Sequence, residues 1–293
     1  MTVLSEGQYE LDGYLFGLGT PVRLLSGGDV TSGVTVRVQD QDHPRADQLL
    51  MGRDQLAPPS REFTWLVDAE DAASELARLR AAWRADKVRA TPGATSVLRW
   101  CRHGVTYWSR GRGRDFTPLH RDPVEPGRRY ASAKWQYAEA QAYLDTLVSA
   151  ELSLTGSAAP TGFTLPAVLP WILGSVTSER AGVVTVDGLA AVPFRVVIAG
   201  PSTGSATNLK LAGPGWLLDF GALVLKAGSQ IVVDTSWIGS ALMDGASVAG
   251  TLSRKSTLTG RLQPGTAEFT FTATDTSRTT KATISWRPAA LIF

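Results

Sequence analysis

The sequence predicts a mainly β protein of two domains, and three observations carry that prediction. At 293 residues the chain exceeds one ordinary domain and suffices for two, each large enough to bury its own core. Short apolar runs separated by Gly, Pro, Asp and Ser clusters recur along most of it, which is the signature of antiparallel β structure. Only one segment has clear helical periodicity, so no alternation of strand and helix supports a parallel sheet.

Hydrophobic residues make up 43% of the chain and charged residues 19%, the balance of a folded protein rather than a disordered one. The 29 basic residues are nearly matched by 27 acidic ones, for a net charge of +2, so no global electrostatic case for nucleic-acid binding exists. Cys101 is the only cysteine, which excludes an internal disulfide and a thiolate metal cage. The start, "MTVLSEGQYE", lacks the basic and apolar regions of a signal peptide. The longest apolar stretch, "LPAVLPWILG" at 165–174, is short and broken by proline, so membrane insertion is not expected. The expectation is a protein made in a cytoplasm. Arginine exceeds lysine 23 to 6, a bias of GC-rich codons rather than of chemistry.

Taken in order, "YLFGL", "VTVRV" and "EFTWLV" read as strands in the first 67 residues. A helix is predicted over about 69–87, with Asp68 as N-cap, Asp71 at the third helical position, and Leu76, Leu79 and Trp83 along one face. Arg84, Lys87 and Arg89 suit its C-terminal end. Residues 95–110, "TSVLRWCRHGVTYWSR", read as a hairpin. A two-residue turn at His103-Gly104 pairs Trp100 with Tyr107 and Arg99 with Trp108, leaving Leu98, Trp100 and Tyr107 on one face and Arg99, Trp108 and Arg110 on the other. "KWQYAEAQAYLDTLVSAELSL" mixes helix-favouring composition with strand-like alternation at Trp135 and Tyr137, and reads as strand.

Gly and Pro recur without period from 156 to 175, which marks a connecting segment between a domain at 1–155 and one at 176–293. The second half is β throughout: "VVTV", "FRVVIAG", "LKLAG", "WLLDF", "LVLKAG", "QIVVDT", "EFTFTAT" and "KATISWR" follow one another with turns between, as in a sandwich or jelly roll. Within it, Asp244-Gly245 suits a tight hairpin turn between Ala241–Met243 and Ala246–Val248.

Candidate chemistry is sparse. Gly200 to Gly204 match the hydrolase elbow G-x-S-x-G, making Ser202 a candidate nucleophile, but a turn and strand follow where a helix is needed. His43, His103 and His120 all precede it, whereas that fold places its histidine last. A plain turn is the better reading. Asp40, Asp42, His43 and Asp47 could ligate a cation, yet no second ligand cluster supports them. Asp68, Glu70 and Asp71 are explained by a helix N-terminus. "GRGR" at 111–114 lacks the strand-to-helix turn and lysine of a phosphate loop. No catalytic residue, cofactor or metal is predicted.

One stretch stands out, with Arg99, Arg102, Arg110, Arg112, Arg114, Arg121, Arg128 and Arg129 beside Trp100, Tyr107 and Trp108. Arginine with interleaved aromatics suits a protein interface or a single nucleic-acid strand. Asp115, Asp122 and Glu125 dilute the charge and favour the interface, so Arg99, Trp108 and Arg110 are its candidate residues.

The order of segments resembles a known family. "YELDGYLFG" and "LLMGRDQLAPPSREFTWLV" are similar to the N-terminal domain of distal tail proteins (minor tail proteins) of long-tailed siphophages. "GFTLPAVLPWILG", "AAVPFRVVIAGP", "LVLKAGSQIVVDT", "LTGRLQPGTAEFTF" and "ISWRPAALIF" follow one another as in that family's second domain. The departures are local: Thr266 stands where the family often has Asn, and the Arg-rich stretch from 110 to 129 has no counterpart. The resemblance implies a β-sandwich-like N-terminal domain assembling into a ring, usually a homohexamer, with a galectin-like β-sandwich outside it. It implies a structural virion protein of the tail tip, joining the tail tube to the baseplate or host-recognition hub. Its partners would be itself, the tail tube protein, hub or tip proteins and the tape measure protein, with DNA passing through the lumen. A carbohydrate-binding adsorption module is the alternative, and a cell-wall enzyme a third.

Overall fold

A computed structural model describes residues 3–27, 36–42, 49–52, 54–119, 127–154, 182–236, 238–275 and 277–291, mostly as strands. The predicted connecting segment, 156–175, lies outside the described residues. The chain forms two compact units, Met1–Asp145 with Ala289–Phe293, and Thr146–Pro288.

Tight hairpins start the first unit. Asp12 and Gly13 take φ of 47° and 92°, the left-handed pair that a two-residue turn needs to match the twist of its strands, so Leu11 faces Tyr14. His103 and Gly104 do the same at 53° and 70°, giving the predicted register of Trp100 with Tyr107 and Arg99 with Trp108. These hairpins feed one antiparallel ladder: Tyr14–Gly17, Gln8–Leu11, Ser96–Arg102, Val105–Leu119, Arg128–Tyr137, Ser60–Asp68, Val22–Ser26. Gln141–Leu144 also pairs with Val105–Leu119, and with Ala289–Leu291. The ladder's end strands are joined by residues 18–21 alone. That tether reaches at most about 18 Å, so the sheet curls and acquires an inside and an outside.

The inside is aromatic. Phe63, Trp65 and Val67 alternate inward from one strand, Ala131, Ala133, Trp135 and Tyr137 from its neighbour. Helix α1, Ala72–Arg84, adds Leu79 and Trp83 to the same core. The Trp83 ring lies 4.7 Å from Trp65, 5.4 Å from Phe63 and 5.8 Å from Trp135, edge-on to each, the arrangement favoured by ring quadrupoles. Its indole N–H is shared by the Arg114 and Lys134 carbonyls.

The helix begins later than the sequence predicts. Asp71, not Asp68, is its N-cap, accepting from the Ser74 N–H at 3.0 Å. Asp68 remains in its strand opposite Arg128, because the inward alternation persists through Val67. Ala85 closes the helix at φ 42°, and a short α2, Asp86–Ala90, follows.

"GRGR" has a packing explanation. A Cβ on Gly113 would lie 2.2 Å from the Trp83 carbonyl oxygen, and one on Gly111 would lie 2.7 Å from the Trp135 ring. Both glycines occupy inward positions of a strand, where only a missing side chain lets the tryptophans close.

Between Val22–Ser26 and Ser60–Asp68 a two-stranded arm is built by pairing Val36–Arg37 with Gln55–Leu56 and Gln41–Asp42 with Leu49–Leu50. The Gly52 N–H donating to Asp40 Oδ1 at 2.8 Å ties its middle. Among the described residues, neither ladder of the arm joins the main sheet.

The second unit has two principal sheets. One runs Val148–Ser153, Lys281–Trp286, Phe194–Ala199, Gln230–Asp234, Ser240–Met243, Ala246–Ser247; the other joins Ser205–Gly213 to Trp216–Asp219, Leu225–Lys226 and Thr270–Thr274. Alternate residues of both are buried, including Val196, Ile198, Ile231 and Ile284 on the first, and Leu209, Leu211, Leu218 and Phe271 on the second. Phe194 of one sheet packs on Trp216 of the other at 4.6 Å. Asp244 and Gly245 make the predicted turn, at φ 49° and 88°, with Met243 facing Ala246. The stretch 134–154 holds the end of Arg128–Tyr137, then Gln141–Leu144 and Val148–Ser153, with non-strand residues between them, and its last strand, Val148–Ser153, pairs with Lys281–Trp286.

Candidate functional site

The Ser96–Arg102 and Val105–Leu119 hairpin places Arg99, Trp108 and Arg110 on its outward face, as the alternation requires. Their environments differ. Arg99 is 6% exposed; its two terminal nitrogens donate to Glu10 Oε2 at 2.8 Å and Asp145 Oδ2 at 2.7 Å. The guanidinium therefore clamps the Gln8–Leu11 strand and the chain after Gln141–Leu144 onto the hairpin between them. Trp108 is half-buried against Tyr143, ring centroids 4.9 Å apart, and the Arg110 guanidinium lies over the Trp108 ring, 5.5 Å from its centroid. Tyr143 is fixed in turn by donating to Glu139.

No motif in the sequence points to Glu10, Asp145 or Tyr143. Register alone creates this cluster, and no local spacing encodes a contact between residues so far apart in the chain. The same holds for Glu6. Its carboxylate accepts the Gly104 and His103 N–H groups at 2.9 and 3.0 Å, and those bonds hold its pKa below the usual carboxylate range. It pins the hairpin turn.

Next to this cluster the ladder presents an outward surface whose rows follow from register, since directly opposed residues share a face. Leu119, Tyr130, Leu66 and Arg23 form one row; Thr117, Ser132, Thr64 and Ser26 the next; then Arg114, Lys134 and Glu62.

The other candidates fall apart. Ser202 sits in a turn between Phe194–Ala199 and Ser205–Gly213, so the elbow's following helix is absent. Its Oγ lies 3.0 Å from Thr279 Oγ1. That contact belongs to a loop organised by Asp275, whose Oδ1 accepts from Ser277 N and Oγ and whose Oδ2 accepts from Thr279 N, Thr280 N and Thr280 Oγ1. Burial pushes this carboxyl up, but the hydrogen bonds from Ser277 and Thr280 outweigh it and hold the pKa well below the usual range. His43, Asp47, His120, Arg121, Asp122 and Glu125 lie outside the described residues. Among the described residues, no group of three or more His, Cys, Asp and Glu is placed to hold a metal ion, and no helix is long and apolar enough to cross a membrane. Asp68 pairs with Arg128 at 3.6 Å and Asp71 caps the helix.

These clusters hold the chain's own turns and strands in place, within a mainly β, two-unit fold. No family model matches the chain, and no curated protein matches it by sequence. Solved structures do share its fold. The Dit protein of phage SPP1, described as a paradigm of the hub adsorption apparatus in phages infecting Gram-positive bacteria, superposes with a TM-score of 0.60 at 12% identity, covering 96% of this chain and 98% of that one. A chain of the phage P2 baseplate, in its activated conformation with Ca, superposes with a TM-score of 0.52 at 11% identity, over 96% of this chain and 97% of the other.

Proposed function

We propose that this chain is a structural protein of a siphophage tail tip: a ring-forming adaptor that joins the tail tube to the baseplate or host-recognition hub. The observation that carries this reading is the extent of the fold match, which runs through both units and leaves almost nothing of the Dit chain unmatched. The segment order of the sequence independently supports the same family. In this role the first unit builds a homohexameric ring and the second, a galectin-like sandwich, decorates it. Tail tube, hub or tip proteins and the tape measure protein are its neighbours in the virion, and DNA passes through the lumen without sequence-specific contacts.

An adaptor works by geometry rather than by bond-making. The polar clusters fit that role, because Arg99, Glu6 and Asp275 each spend their hydrogen bonds on the chain's own strands and turns. The test is averaged electron-microscope images of the concentrated protein and of purified tails labelled on this chain. A closed six-fold ring at the tube's distal end is expected. A monomer at all concentrations that is absent from tails, with binding on a glycan array, would replace the adaptor with a carbohydrate-binding module.

A further inference from the structure

We propose that the inner face of the first unit's sheet binds one monovalent halide, chloride in the natural setting, between the Arg61 guanidinium and the Tyr137 hydroxyl. Arg61 stands where alternation puts core residues: Ser60–Asp68 turns Arg61, Phe63, Trp65 and Val67 inward. It is 6% exposed. A guanidinium cannot shed its proton in a protein, and an unpaired buried charge is so costly that buried arginines carry a counter-charge.

The described residues supply none. Carboxylates of the first unit pair with Arg78, Arg84, Arg99, Arg128 and Lys134, and among the described residues none reaches Arg61. The Phe63 ring, 5.6 Å from the guanidinium carbon, takes up part of the charge but offers Nη2 no acceptor. Tyr137 cannot be the counter-ion either. Burial pushes its phenol up and the neighbouring Arg61 offsets only part of that, so at neutral pH the hydroxyl is uncharged and free to donate.

The surroundings repeat the same demand. Among the described residues, Arg61 Nη2, Tyr137 Oη, Trp135 Nε1, Ser96 Oγ and Ser109 Oγ are all buried without a hydrogen-bond partner, which native interiors rarely leave unexplained. Register gathers them on one patch. Trp135 faces Arg61 directly; Gly111 faces Tyr137 on one side and Ser96 on the other; Ser109 shares the inward side of the Gly111 strand. A Cβ on Gly111 would lie 2.7 Å from the Trp135 indole nitrogen, so that N–H reaches across to the same row. Their four strands are consecutive in the ladder. The guanidinium and the indole only donate, and the three hydroxyls can. A donor set with one fixed positive charge repels metal ions and balances a single negative charge, while enclosure by residues at most 6% exposed favours a monatomic ion over sulfate or phosphate. With Cys101 the only cysteine, no disulfide can tie these strands; an ion bonded from neighbouring strands does so.

Bromide is the probe for direct observation, because it replaces chloride and scatters anomalously. Crystals of the full chain grown in sodium bromide are expected to show an anomalous peak within hydrogen-bond distance of Arg61 Nη2 and Tyr137 Oη. In solution, thermal melts followed by tryptophan fluorescence compare sodium chloride with sodium gluconate at equal ionic strength. The wild type is expected to melt roughly 2–4 °C higher in about 150 mM chloride, and Arg61→Met is expected to show no difference between the two salts. Tyr137→Phe keeps the ring and removes one donor, so it needs roughly tenfold more chloride for the half-maximal rise; it carries the comparison alone should Arg61→Met not fold. A water molecule or no density at the site overturns the proposal. So does a bromide peak without a chloride-dependent rise, which is an adventitious ion only, and so does a rise of equal size and midpoint in the variants, which is a general salt effect.

Discussion

Replacing Arg99 by Met separates an internal clamp from a contact residue. The substitution keeps most of the side-chain volume and removes the guanidinium that both Glu10 and Asp145 contact; their side chains are 16% and 24% exposed. Breaking a buried ion pair by removing one partner costs about 3–5 kcal/mol. Both carboxylates keep some solvent, so the lower end applies and the expected loss is about 3 kcal/mol. With a urea m-value of about 2 kcal/mol/M, the unfolding midpoint of the first unit falls by roughly 1.5 M. Tryptophan fluorescence reads that transition, since Trp65, Trp83, Trp100 and Trp135 lie in this unit's core. The triple variant Arg99→Met/Glu10→Gln/Asp145→Asn removes all three charges and is expected to recover most of the loss, because the penalty belongs to the stranded carboxylates. A midpoint shift below about 0.5 M, or no recovery in the triple variant, refutes the clamp. Unchanged stability with lost assembly would instead make Arg99 a contact residue.

Three further outcomes are expected. Gly113→Ala forces a Cβ onto the Trp83 carbonyl oxygen and costs about 3 kcal/mol of overpacking, visible as a lowered midpoint and altered near-ultraviolet dichroism. Trp108→Ala loses the Tyr143 and Arg110 contacts and, if Trp108 is the interface residue that the sequence proposes, weakens assembly in light scattering more than it lowers the melting temperature. Asp275→Ala opens its loop at a cost of about 1.5 kcal/mol at neutral pH. The folded carboxyl titrates below its unfolded value, so this contribution is fully present above about pH 4 and fades as pH falls through the lower folded pKa; denaturation of wild type and variant from pH 7 to pH 3 checks it.

What was legible in the sequence is local chemistry. Two-residue turns at His103-Gly104 and Asp244-Gly245 need positive φ, and the residues that permit it announce themselves; once a turn is placed, the cross-strand pairs follow by counting. The helix was visible from Leu76, Leu79 and Trp83, but its start was not, because Asp68 and Asp71 offer identical capping chemistry. Only the strand's register with Arg128 decides between them. "GRGR" illustrates the opposite case. Its glycines look like a loop until the ladder puts Trp83 and Trp135 over them.

The least legible feature is where the units divide. Residues 146–153 are continuous in sequence with the strands before them, yet Val148–Ser153 pairs with Lys281–Trp286 in the second unit. Ala289–Leu291 returns to the first unit and pairs with Gln141–Tyr143. A three-residue strand carries no periodicity, so nothing in "PAAL" announces it. The physical consequence is that the first unit is not a contiguous piece of chain: without Ala289–Leu291, the Gln141–Leu144 strand loses a ladder neighbour. That strand supplies Tyr143 beneath Trp108 and leads directly into Asp145, which holds Arg99. The chain's last pairing therefore supports the cluster on which both the clamp and the candidate contact residues stand.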